Sequence, residues 1–112
     1  MVIRNRVMGR IAVSRSFGDI PFKHPYNQAP GHWVSPIPHL LHLPINERNK
    51  FIIIACDGLW DVISYQKAAD MAGNLLSKNM NPQQICRLLI ASAIEAGSLD
   101  NITVSLVLIN PF

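Results

Sequence analysis

Little in this chain is charged: 15% of its 112 residues are Asp, Glu, Lys or Arg, against 49% apolar. That balance excludes a disordered, charge-dominated segment and makes a packed interior the default. Cysteine is scarce too. Cys56 and Cys86 form no C-x-x-C pair, which argues against a zinc site. Both lie in apolar surroundings and read as buried, reduced thiols of an intracellular protein, cytoplasmic or nuclear. No apolar run is long enough for a membrane span, the longest plausible buried strand being about seven residues. The N-terminus is basic but lacks the apolar stretch of a secretory signal. Internal repeats and low-complexity segments are absent. The length suits one domain or less, with a modest core.

Acids are fewer than bases, seven against ten, for a formal net charge of +3. Arg4, Arg6, Arg10, Arg15 and Lys23 all fall before position 24, where Asp19 is the only acid. Such a segment attracts anions, whether phosphate or nucleic acid. It has neither aromatic interleaving nor helical periodicity, so nucleic acid is not the expected partner.

The pattern along the chain predicts a short strand at Ile11 to Ser14. An irregular segment from Phe17 to Pro36 follows, broken by Gly18, Pro21, Pro25, Pro30, Gly31 and Pro36. Ile37 to Leu43 suits an edge strand, where Pro38 is tolerable. Asn46 to Asn49 reads as a turn joining it to an antiparallel partner. That partner, Phe51 to Cys56, is apolar on both faces and is expected to be buried on both sides. Ser64 can cap a helix over Tyr65 to Ser77 with Ala68, Met71, Ala72 and Leu75 inward. Asn81 and Pro82 open a second helix, with Ile85, Leu88, Leu89, Ser92 and Ala93 inward and Gly97 ending it. Ile102 to Ile109 closes the chain as a strand. Segregated helices on an antiparallel sheet give an α+β class.

Four of the seven acids, Asp19, Asp57, Asp61 and Asp100, sit at Gly- or Asn-containing turns beside strands. Asp57 follows one apolar strand and Asp100 precedes another. If the strands are neighbours, both carboxylates converge at one sheet end, with Asp61 one helical turn beyond Asp57. Converging carboxylates repel unless a cation sits between them. All-oxygen donors suit a hard cation such as Mg²⁺, Mn²⁺ or Ca²⁺, not zinc. The same positions also suit plain turn formers: Asp57 before Gly58, Asp61 as a cap, Asp100-Asn101 as a loop corner. Gly58 and Leu59 break the alternating ligands that an EF-hand loop needs. Gly18 permits a tight turn that Arg15 and Asp19 can fix by pairing, a structural role for both. His24, His32, His39 and His42 show no helical pairing and read as loop or surface residues.

Three blocks together resemble the C-terminal portion of the protein phosphatase 2C (PPM-type) family. They are Gly9 to Asp19 (GRIAVSRSFGD), Phe51 to Val62 (FIIIACDGLWDV) and Gly97 to Val104 (GSLDNITV). The resemblance implies an α-β-β-α sandwich of antiparallel sheets flanked by helix pairs. It implies metal ligation by Asp57 and Asp100, and by Asp61 at a weaker site, with Gly58, Asn101, Arg15 and Asp19 beside it or structural. It also implies a binuclear Mg²⁺ or Mn²⁺ centre that activates water to hydrolyse phosphoserine or phosphothreonine in proteins. In that scheme Cys56 need not be a nucleophile. The family's early acidic residue, its Asp-Gly-His-Gly motif and its phosphate-gripping arginine are missing. Residues 1–112 are therefore expected to be the C-terminal part of one catalytic domain whose N-terminal half is absent, with too few oxygens for a tight cluster. Bare sheet surface is then expected to invite pairing. The alternative is a non-catalytic module that binds phosphoproteins or a complete phosphatase.

Overall fold

The computed structural model describes residues 1–24, 26 and 31–112. Pro25 and Pro30, read above as breaks in the long irregular segment, lie outside the described residues, as do Asn27, Gln28 and Ala29. The chain divides into two compact units, Met1–Leu43 and Pro44–Phe112.

The second unit is an α+β layer. Strand β3 (Phe51–Ala55) pairs antiparallel with β4 (Val104–Leu108), Ile53 facing Leu106 at the centre of the register. Between them come α1 (Asp57–Trp60), α2 (Tyr65–Ser77) and α3 (Pro82–Glu95). Each long helix begins and ends where the residues dictate. The Ser64 side chain accepts the Lys67 amide, and the Asn81 side chain accepts the Gln83 amide with Pro82 at the first helical position. Both end in the Schellman pattern: Met80 N–H donates to Leu75 O and Ser98 N–H to Ala93 O. The left-handed residue this requires is Asn79 (φ 60°) in one case and Gly97 (φ 95°) in the other.

Ala68, Ala72 and Leu76 of α2 meet Ile85, Leu89 and Ala93 of α3, with Leu59 and Ile63, in one buried cluster. Phe51, Ile53, Ala55, Val104 and Leu106 pack against it from one face of the sheet. Burying each Leu or Ile contributes about 1.5–3 kcal/mol, which makes this cluster the main stabilising term of the unit. The other face does not match expectation. Ile52 and Ile54 are 47% and 59% exposed and Val107 is 44% exposed, so β3 is covered on one side only. The strand pattern asks for a second layer, which the second unit itself does not supply there.

Two expected strands do not form. Ile37 to Leu43 has no strand hydrogen bonding, and Ile37, Leu40, Leu41 and Leu43 are exposed. Pro38 removes an amide donor within this stretch and Pro36 and Pro44 remove one at each flank, and β3 takes β4 as partner instead. The turn itself does form, with Asn49 N–H on Asn46 O at 3.0 Å and Arg48 N–H on Asn46 Oδ1 at 2.9 Å. Asn110 then ties it to the chain end, donating to Asn46 O and Asn49 O.

In the first unit, Ile11 forms only an isolated bridge to Val7, and Val13 is exposed. The pairing goes instead to a hairpin of β1 (Val2–Ile3) and β2 (Arg6–Val7). Arg4 and Asn5, both at positive φ, make its two-residue turn. Downstream, Ile20–Phe22 forms a 3₁₀ turn and Arg15 bridges Ser35. No helix of the described residues is long and apolar enough to cross a membrane.

Candidate functional site

Asp57 opens α1 immediately after β3. Cys56 stays extended (ψ 175°) and the chain turns sharply, so Asp61 N–H reaches Asp57 O at 2.9 Å. Asp57 and Asp61 are therefore one helical turn apart. Trp60 braces the corner by donating its indole N–H to Ala55 O at 2.9 Å. Its ring also meets Tyr65 edge-on at 4.9 Å.

The corner that carries Asp100 lies against this one. A Cβ on Gly58 would stand 2.1 Å from Asn101 O and 3.2 Å from the Ile102 side chain, so only glycine fits. Three further links join the two corners. Cys56 N–H donates to Thr103 O at 3.2 Å. The Cys56 thiol lies 3.2 Å from both Asn101 O, to which it donates, and Thr103 N–H, from which it accepts. Ser98 Oγ donates to Gly58 O at 2.7 Å. Asp100 itself accepts the Asn101 amide at 2.7 Å through Oδ1.

Asp61 and Asp100 line one cavity of about 400 Å³ with Gly58, Val62, Gly97, Ser98 and Leu99. Asp57, Asp61 and Asp100 are all exposed. Among the described residues no group of three or more His, Cys, Asp or Glu side chains is arranged to hold a metal ion. The donor chemistry thus suits a hard divalent cation, while the described residues do not bring together enough donors to hold one. The thiol of Cys56 is half-buried and engaged as a link between the corners.

Arg15 and Asp19 lie in the first unit and do not pair as expected. Gly18 (φ 69°) and Asp19 (φ 47°) make the tight turn, and Asp19 Oδ2 accepts the Ser16 hydroxyl. Lys23 fills the inside of the turn, its ammonium donating to Ser16 O at 2.8 Å and to Gly18 O. The cation that fixes this turn is thus Lys23, leaving Arg15 exposed. Sequence reasoning missed both Lys23 and Ser98. For Ser98 the only signal was its place after the helix-ending Gly97. The four histidines are exposed, as read, and His32 Nδ1 accepts the His24 amide.

A sequence model of the family described as Protein phosphatase 2C matches residues 1–102. Protein spalten of Dictyostelium discoideum is 36% identical over 110 residues, covering 98% of this chain and 11% of that protein. Human protein phosphatase 1B is 34% identical over 107 residues, covering 95% of this chain and 22% of that protein. Among solved structures, a sex-determining protein of C. elegans superposes with a TM-score of 0.74 at 28% identity, over 95% of this chain and 24% of that one. The chain spans about a quarter or less of the length of each of these proteins.

Proposed function

We propose, from the premise that this chain belongs to the protein phosphatase 2C family, that it carries part of a metal-dependent protein serine/threonine phosphatase site. In this reading residues 1–112 are one portion of a single catalytic domain. Asp57 and Asp100 are ligands of Mg²⁺ or Mn²⁺, and Asp61 contributes to a weaker position. The remaining oxygen donors come from residues outside this chain. The substrate class is phosphoserine and phosphothreonine in proteins. The location is intracellular, in keeping with two free thiols.

One observation carries the reading. Gly58 sits so close to Asn101 O that the corners bearing Asp57 and Asp100 are held together. A turn former needs no such partner, and two carboxylate corners tied by backbone give hard-cation ligands a fixed base.

The test is a titration of the ¹⁵N-labelled chain with substoichiometric Mn²⁺. The amide signals of Asp57, Gly58, Asp61, Asp100 and Asn101 are expected to broaden first, and Asp57→Asn to remove the effect. Equal broadening at the remote acids Glu47, Asp70 and Glu95 would defeat the assignment. The chain alone is expected to hydrolyse a phosphoserine peptide little in Mn²⁺. Robust turnover abolished by Asp57→Asn would show that no outside ligand is needed.

A second reading, a non-catalytic interaction module, is favoured by the lack of a three-ligand group among the described residues. It predicts no selective Mn²⁺ broadening and unchanged behaviour of Asp57→Asn.

A further inference from the structure

Within Met1–Leu43, Met8, Arg10, Pro21, Phe22 and Trp33 line a cavity of about 200 Å³. It is built from backbone outward. Met8 (φ 51°) and Gly9 (φ 71°) turn the chain after β2. The 3₁₀ turn presents Pro21 and Phe22, and Trp33 N–H donates to Phe22 O at 2.8 Å, which fixes the third wall. Four of the five lining side chains are apolar and two are aromatic.

The fifth is Arg10, which is exposed. Its backbone is already used: its N–H donates to Val7 O at 3.0 Å, and its carbonyl accepts the Arg6 guanidinium at 3.1 Å. The Arg10 guanidinium forms no ion pair among the described residues. The unit holds Arg4, Arg6, Arg10, Arg15 and Lys23 against Asp19 alone, and Asp19 is engaged by Ser16. The slot therefore opens beside the Arg10 guanidinium, with Arg6 held against the Arg10 carbonyl, in a unit whose net charge is positive.

We infer that this slot docks one apolar side chain of an acidic peptide segment, whose flanking carboxylates meet Arg10 and Arg6. Size selects the occupant. Sites for whole small molecules begin at about 300 Å³, so this one takes a side chain. Charge complementarity selects the neighbours, by steering and by pairing at the rim. A single-stranded nucleic acid would need a row of exposed aromatic platforms, whereas this cavity has walls of Met8 and Pro21 and a half-covered Trp33. The inference rests on the first unit alone and requires neither metal nor phosphate.

The full chain is titrated calorimetrically with the capped pentapeptide Glu-Glu-Leu-Glu-Glu, without metal. Saturable binding is expected. It should weaken about tenfold when the central Leu becomes Ser, in line with losing one buried side chain. Arg10→Gln should weaken it severalfold and flatten its dependence on salt. That variant alters an exposed side chain and keeps the Arg6 bond to the backbone carbonyl, so it is expected to fold. Trp33→Ala should abolish binding. Equal affinity for the Leu and Ser peptides, no effect of Arg10→Gln, or tighter binding of oligo-dT than of the peptide would each overturn the proposal. Loss of phosphatase chemistry would leave this measurement unaffected, so the two readings fail separately.

Discussion

Gly58 shows most clearly how one residue position constrains the site. In an ordinary helix, Gly→Ala stabilises by about 0.5–1 kcal/mol. Here the added methyl meets a carbonyl oxygen at 2.1 Å, a backbone atom that cannot swing aside. Gly58→Ala is therefore expected to destabilise by about 1–3 kcal/mol, as overpacking does. Urea unfolding followed by tryptophan fluorescence measures this. A stabilised variant would show that the corners separate freely. Ser98→Ala removes one link, leaves Gly58 O without its donor, and should cost about 1 kcal/mol in the same assay. The acids were legible as turn residues from their Gly and Asn neighbours. The meeting of their corners was not, because it depends on Gly58 packing against the Asn101 carbonyl, between residues far apart in sequence.

The helices were read correctly at both ends, since their signals are local: Ser64, Asn81 with Pro82, and Gly97 lie beside the hydrogen bonds they make. Asn81→Ala is expected to cost about 1 kcal/mol. Leu89→Ala is expected to cost about 2–5 kcal/mol, because Leu89 is fully buried among the two helices. Thermal unfolding of the two variants side by side checks the ordering, and a larger loss for the cap than for the core would contradict it. Strands fared worse. The stretch Ile37 to Leu43 has strand-like residues, yet pairing is decided by which partner offers free backbone groups, and prolines withhold them. Ile11 to Ser14 likewise lost its partner to a hairpin whose turn, Arg4-Asn5, carries no glycine to announce it.

For the whole molecule, the governing feature is the bare face of β3 and β4. Ile52, Ile54 and Val107 form an apolar surface that water must wet, and such surfaces associate. The chain is expected to self-associate with rising concentration in sedimentation experiments. Ile54→Lys should suppress this without loss of helical circular dichroism. A concentration-independent monomer would show that the face is tolerated.

The unpaired stretch from Ile37 to Ile45 has a consequence of its own. It straddles the boundary between the units and exposes Leu40, Leu41 and Leu43 with no strand hydrogen bonds to protect them. A protease binds its substrate as an extended strand, and a stretch with no helix or strand hydrogen bonds to break can adopt that shape at little cost. A brief chymotrypsin digest should cut there first. The fragment released from the C-terminal side would keep α2, α3 and the sheet, and would resist further cleavage.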